Sequence, residues 1–231
     1  MSEGSVPKME EDLAVRYSAS KYDEYTANAV RHFDDALVWR LGQILSERGD
    51  STGTLVDVGT GTAQFLIRAA REPELERLRF IGFDSFDDMV DEANRAVAEA
   101  GLSPQVEVRL GDAHELPVPD ACAALVISRS TLHHFRDPLE AVKEMARVVA
   151  PDGMVVIHDV RRDAHPDARA AFNAEREKYG VPESIVEEKL SLADARALIE
   201  AAELTDRTVI TAPEDGPFAL GFEIAIRGVQ Q

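Results

Sequence analysis

The chain has 231 residues, 45% apolar and 29% charged, enough for one α/β domain with a small elaboration and too ordinary a composition for wholesale disorder. Its 25 basic residues face 43 acidic ones, and a formal charge of -18 repels phosphate backbones and anionic bilayers, so no nucleic-acid or membrane partner is expected. The expected partner is a small acceptor, neutral or cationic. The only cysteine, Cys122, excludes an intrachain disulfide and, among its neighbours, reads as a buried structural thiol in a reducing cytoplasm. The acidic N-terminus has no apolar leader core and no apolar run is long enough to span a bilayer, so the expectation is a soluble, cytoplasmic protein. Abundant Ala, Arg, Asp and Val point to a GC-rich bacterial genome.

In chain order, residues 1–12 read as a frayed tail. Val30, Phe33, Leu37, Leu41 and Ile44 then recur at helical spacing, in a helix predicted over 23–48 that stops at Gly49. Tyr17, Tyr22 and Tyr25 stand just before it, as a lid over a ligand or as anchors of that helix. We expect residues 1–50 to form an N-terminal tail and helical lid, and residues 51–231 the main domain.

Leu55, Val56 and Val58 form a short buried strand that breaks at Gly59 and Gly61, after which Phe65 to Ala70 continue as a helix. Strands are further predicted at 78–83, 106–110, 123–128 and 154–157, with helices at 86–100 and from Pro138 onward between them. Asp137 and Pro138 make a helix start, Gly101 a helix stop, and Pro151 to Gly153 punctuation before the fifth strand. Alternation of this length means βαβ units: a Rossmann-like, mostly parallel sheet with helices on both faces. Residues 161–189 read as a polar, partly helical insertion on the substrate side. Ser191 and Asp194 resemble a capping pair for a helix burying Ala195, Leu198, Ile199 and Ala202. Two last strands, 207–211 and 218–226, are separated by a short turn, so if they pair they are antiparallel.

In such sheets ligands bind at the carboxyl ends of the strands near the switch in strand order. The candidates are therefore Gly59, Thr60 and Gly61; Asp84 and Ser85; Asp112, Ala113 and His114; the segment Ser128 to His134; and His158 to Arg162. A dinucleotide-binding loop wants a third glycine where Gln64 stands.

The run Asp57-Val58-Gly59-Thr60-Gly61-Thr62-Ala63 resembles the first motif of the class I S-adenosylmethionine (SAM)-dependent methyltransferases, in particular the quinone and small-molecule group, with Ala63 in place of the third glycine. Asp84 in Phe83-Asp84-Ser85-Phe86, Asp112 in Gly111-Asp112-Ala113-His114, and the segment from Ser128 to Asp137 with its following helix match three further marks in order. The resemblance implies SAM as cofactor and a seven-stranded sheet whose last strand is reversed. It also implies roles. Asp84 would accept the ribose hydroxyls, Met89 would pack on the adenine, and Asp112 would meet the adenine amino group.

Methyl transfer from a sulfonium needs alignment and water exclusion first, and a base only if the acceptor must lose a proton. His133 and His134 stand where this family places residues near the methyl. Adjacent residues point differently, so one of them is expected to face the site, and His133 is the preferred base or acceptor contact. His158 and Asp159 are second candidates. Arg129, Arg161 and Arg162 are candidates for holding an acidic acceptor. No spaced ligand motif supports a metal. The alternatives are a protein of this fold that uses SAM for other chemistry, or a non-catalytic SAM-binding regulatory module. A homodimer is one open oligomeric state, and the sequence leaves the acceptor and its methylated atom open.

Overall fold

A computed structural model describes residues 31–184, 186–214 and 217–229. Helix α1 (Arg31–Arg48) buries Leu37, Leu41 and Ile44 of the predicted stripe together with Leu45, and ends where Gly49, at φ 74°, donates its N–H to Leu45 O. Tyr17, Tyr22, Tyr25 and Val30 lie outside the described residues. Then come β1 (Gly53–Val58), α2 (Gln64–Ala69), β2 (Leu78–Asp84), α3 (Asp87–Glu99), β3 (Val106–Leu110) and β4 (Ala123–Arg129). A 3-10 turn (Leu132–His134), α4 (Pro138–Val148), β5 (Val149–Val160), α5 (Pro166–Lys178), α6 (Leu192–Ala201), β6 (Thr208–Thr211) and β7 (Gly221–Arg227) follow.

The strands make one seven-stranded sheet in the order β3-β2-β1-β4-β5-β7-β6. Strands β1 to β5 pair in parallel, whereas β7 runs antiparallel to both β5 and β6. The predicted mostly parallel sheet with a reversed last strand is therefore present. Alternation along each strand sends Leu55, Phe80, Leu125, Ile127 and Val156 to the face covered by α1, α2 and α3. Val56, Val58, Phe83, Val126, Val155 and Ile157 go to the opposite face, covered by α4 and α6. Burying strands on both faces explains why they read as near-continuous apolar runs.

The helix starts follow the sequence. Asp137 caps α4 by accepting N–H groups of Leu139 and Glu140, with Pro138 in the first turn, and Ser191 and Asp194 form a reciprocal capping box on α6. Two readings need correction. Pro151 to Gly153 does not precede β5 but lies inside it: Val149 already pairs with Ala123, and the register then shifts before Leu125 meets Met154. Gly153 makes that passage possible, because a Cβ there would stand 2.6 Å from Ala124 O. Cys122 is exposed rather than buried, since it sits in the turn after Ala121, whose φ of 52° directs the chain into β4 one residue later. No described helix is long and apolar enough to cross a membrane.

Candidate functional site

The chain leaves β1 for one side of the sheet and β4 for the other, so the carboxyl ends of β1 and β4 flank the topological switch, where α/β sheets bind ligands. The Gly59–Gly61 loop lies there. The N–H groups of Gly59 and Thr60 both donate to Phe83 O, at 2.8 and 3.0 Å, and the Gly61 N–H donates to Asp84 Oδ2 at 2.8 Å. Gly59 has φ 78°, and a Cβ there would come within 2.3 Å of Thr131 Cγ2, so only glycine lets the loop after β4 close onto the loop after β1. Ala63, where the family's third glycine stands, adopts the left-handed conformation a glycine would favour (φ 59°). The backbone geometry of the motif is thus kept despite the substitution.

Asp57 and Asp84 bond to this turn, and Asp112 follows strand β3, two strands from β1. Asp57 is buried, accepts from Thr60 Oγ1 at 2.8 Å, and has its carboxyl pushed up to about 6. Burial is the main cause; the Thr60 bond and the Arg129 charge oppose it, and the Asp84 and Asp34 charges add to it. The folded state therefore holds this proton more tightly than the unfolded chain, so ionising Asp57 costs stability as pH rises from about 4 to about 6. Asp57→Asn, which keeps an acceptor for Thr60, is expected to gain on the order of 2 kcal/mol over the parent above pH 6 and to lose that gain near pH 4. Urea unfolding at two pH values checks this; a variant less stable than the parent at neutral pH would contradict it.

Asp84, at the end of β2, is buried, and burial raises its carboxyl against the opposing N–H bonds of Gly61, Phe86 and Ser85. Its Oδ1 accepts from Phe86 N at 3.2 Å, so it braces both the glycine loop and the start of α3, whose N-cap Phe86 makes no side-chain cap. Ser85 is exposed and Met89 half-buried in the first turns that follow. Asp112, at the end of β3, is exposed; burial of its inner side raises its carboxyl, but the His114 backbone N–H and ring outweigh this and hold it low. His114 Nδ1 meets Asp112, and His114 Nε2 accepts from Asp137 N at 3.1 Å, joining the β3 loop to α4. Ala113 turns into the core.

The residues present fit SAM on three observations. A Cβ on Gly61 would meet nothing within 4 Å among the described residues. Asp84 keeps lone pairs not used by Gly61 and Phe86. Ser128 Oγ, at the end of β4, is buried without a hydrogen-bond partner among the described residues.

Beyond β4, Ser130 takes φ 55° and Thr131 Oγ1 donates to Arg129 O and, at 3.3 Å, to Gly59 O. The turn this creates carries His133 and His134. The side chain of His133 is 3% exposed, and its Nδ1 lies 2.8 Å from both carboxylate oxygens of Asp159. Asp159 also accepts the backbone N–H groups of His133 and Val160. On the other edge of the ring, His133 Nε2 lies 2.7 Å from Lys189 Nζ. His134 is exposed, with its ring 3.9 Å from that of His133, and desolvation followed by the His133 and Lys189 charges lowers its pKa.

The remaining candidates separate by the pleat. His158 points to the face opposite Asp159 and pairs through Nε2 with Glu223 at 2.9 Å, which also binds Arg40. Arg129 shares that face, donates to Asp34 of α1 at 2.6 Å and stacks over Phe65. Arg161 is mostly buried near Asp163, with its Nε lacking a hydrogen-bond partner among the described residues, while Arg162 pairs with Asp194. Asp112 with His114, His133 with Asp159, and His158 with Glu223 are three separate pairs, and among the described residues no group of three or more His, Cys, Asp or Glu is arranged to hold a metal. Thr131, Lys189 and Asp34 join this region without having been singled out. Thr131 lay within the segment after the fourth strand, whereas Lys189 carried no local signal.

Comparison with known proteins agrees with this geometry. The family described as methyltransferase domain matches residues 56–157. The fold and the matched segment are similar to those of class I SAM-dependent methyltransferases. Demethylmenaquinone methyltransferase of Desulfitobacterium hafniense is 29% identical over 154 residues, 67% of this chain and 60% of that protein. Ajmaline N-methyltransferase of Rauvolfia serpentina is 26% identical over 147 residues, 63% of this chain and 49% of that protein. The chain therefore spans about half to three fifths of the length of these relatives. Among solved structures, a SAM-dependent methyltransferase from Aquifex aeolicus superposes with a TM-score of 0.60 at 23% identity, over 80% of this chain and 87% of that one, which shows the shared fold.

Proposed function

We propose that this protein transfers the methyl group of SAM to a small-molecule acceptor. The observation that carries this reading is the convergence of Asp57, the Gly59–Gly61 loop and Asp84 at the strand switch, joined by the Gly61 N–H bond to Asp84. In this reading Asp84 and Ser85 face the ribose, Met89 packs on the adenine, and Asp112 with Ala113 takes the adenine amino group. Gly59, Thr60, Gly61, Asp57 and Ser128 line the methionine end. When bound, SAM supplies an already activated methyl on a cationic sulfur. The chain's own residues then have to align the acceptor, exclude water and hold a proton.

His133 is the proposed base. Its neutral Nε2 takes the acceptor proton, and Asp159 steadies the imidazolium that results. His134, His158, Arg129 and Arg161 stand as acceptor-side residues. Tyr17 and Tyr22, which lie outside the described residues, and the 161–189 insertion are assigned to the lid and acceptor walls in the same reading. Relatives named demethylmenaquinone methyltransferase and ajmaline N-methyltransferase support a small organic acceptor, and the net charge of -18 disfavours nucleic acid. A cytoplasmic bacterial protein completes the proposal.

Incubating the purified chain with SAM and a panel of phenolic, quinol and amine acceptors tests it: release of S-adenosylhomocysteine in step with methylated product is expected. Product without that release would favour other chemistry, and SAM binding with no turnover would favour a regulatory module. Because the Asp57 carboxyl ionises near 6, affinity for the cationic cofactor is also expected to rise as pH climbs through about 6. Calorimetric titrations on both sides of that value check the sign, and equal affinities would remove Asp57 from the cofactor's surroundings.

A further inference from the structure

Asp159, His133 and Lys189 form a chain of three side chains drawn from three elements: the end of β5, the 3-10 turn after β4, and the connector between α5 and α6. With Lys189 as an ammonium, the hydrogen-bond partners of the middle member set its state. Asp159 accepts at Nδ1, so that nitrogen carries the ring proton. A lysine ammonium has donors only, so the nitrogen it meets at 2.7 Å, Nε2, must offer a lone pair. His133 is therefore a neutral imidazole whose basic nitrogen is capped.

Lys189 is placed for this by its backbone. Its N–H donates to Val186 O, its carbonyl accepts from Arg162 Nη1 at 2.8 Å, and Arg162 N donates to Leu190 O, which stitches the connector to the residues following β5. Burial lowers the Lys189 ammonium pKa, Arg176 lowers it further, and Asp159 and Glu188 oppose them. Among the described residues, the charged and titratable groups facing the pair are Asp159 from β5, His134 from the same turn, Arg176 from α5 and Glu188 from the connector.

We infer that Lys189 is the positioning residue of the His133 base: its ammonium, donating to Nε2, holds the imidazole neutral and in the Nδ1–H tautomer until an acceptor O–H or N–H takes its place. The inference rests on the reading of His133 as the base. In the transfer step the acceptor proton passes to Nε2 and the acceptor lone pair forms the bond to the methyl. The carbon–sulfur bond breaks with its electrons kept by sulfur, which leaves as a neutral thioether. The displaced ammonium, still beside the acceptor heteroatom, favours its deprotonated form, and Asp159 balances the imidazolium. This arrangement suits acceptors that lose a proton from oxygen or nitrogen, such as phenols and protonated or neutral amines.

The test is the protonation state of His133 in the full chain, read from long-range proton–nitrogen spectra of histidine-labelled protein between about pH 5 and about pH 9, with H133N identifying its signal among the six histidines. The expected result is an Nδ1–H tautomer in the parent protein and, in K189M, a His133 titration midpoint higher by about one pH unit or more, because Asp159 remains while the cation is gone. K189R, which keeps a cationic donor, is expected to restore the lower midpoint. An Nε2–H tautomer or an imidazolium at neutral pH in the parent would overturn the inference without any variant. So would coincident titrations of K189M and the parent. Calorimetry with SAM on the same samples separates the two levels: failure of the parent to bind SAM defeats the methyltransferase reading, while the histidine spectra decide the role of Lys189.

Discussion

Asp84→Ala is expected to weaken SAM binding about a hundredfold or more, with the fold retained. Two losses add. The carboxylate is the acceptor for the Gly61 and Phe86 N–H groups, at 2.8 and 3.2 Å, so its removal frees the glycine loop from the end of β2 and leaves a half-buried N–H without its partner. The proposed paired bonds to the ribose hydroxyls are charge-assisted and go with it, each worth about 1.5–3 kcal/mol. Asp84→Asn separates the two contributions. Its amide oxygen still accepts from Gly61, so it is expected to keep the loop but bind SAM about tenfold more weakly than the parent. Calorimetric Kd values for the three proteins check this; an alanine variant with parental affinity would place the ribose elsewhere.

Gly59→Ala is expected to cost about 3 kcal/mol of folding stability, and cofactor affinity with it. The new Cβ would stand 2.3 Å from Thr131 Cγ2 and 3.0 Å from Thr131 Cβ, distances at which atoms must move. Thr131 has little room to give, because its hydroxyl is held by Arg129 O at 2.9 Å. A left-handed backbone at φ 78° adds about 1–2 kcal/mol for any residue with a Cβ. Thr131→Gly in the same chain removes the collision but not the backbone strain, so the double variant is expected to recover the larger part of the loss and not all of it. Urea midpoints across the four proteins measure this. Strict additivity would show that the loops after β1 and β4 are not in contact.

The elements that position the site were legible because each had a local cause. The apolar run at 55–58, the turn at Gly59, the stop at Gly49 and the pairing of Ser191 with Asp194 all depend on neighbours in sequence, and all are present. The pleat also foretells that His158 and Asp159 face opposite ways, which decides that Asp159 and not His158 meets His133. What escaped was tertiary. The passage of β5 through Pro151 to Gly153 depends on Ala123 as pairing partner, and Lys189 reaches His133 across 56 residues of chain from a segment without periodicity. Cys122 misleads because apolar strand residues follow it, while the left-handed turn at Ala121 keeps it outside.

Ala63 shows where a motif can depart from its pattern without losing its geometry. The left-handed conformation that favours glycine is retained at φ 59°, and the methyl group is fully buried. The loop therefore still delivers the Gly61 N–H to Asp84 and starts α2 at Gln64. That junction is the point on which the functional reading depends.

Titrating SAM into the purified chain by calorimetry tests that reading most directly. One SAM bound per chain, displaced by S-adenosylhomocysteine and weakened by Asp84→Ala, is the predicted result. No detectable binding at cofactor concentrations up to about 1 mM, the weak end of ordinary ligand affinities, would contradict it.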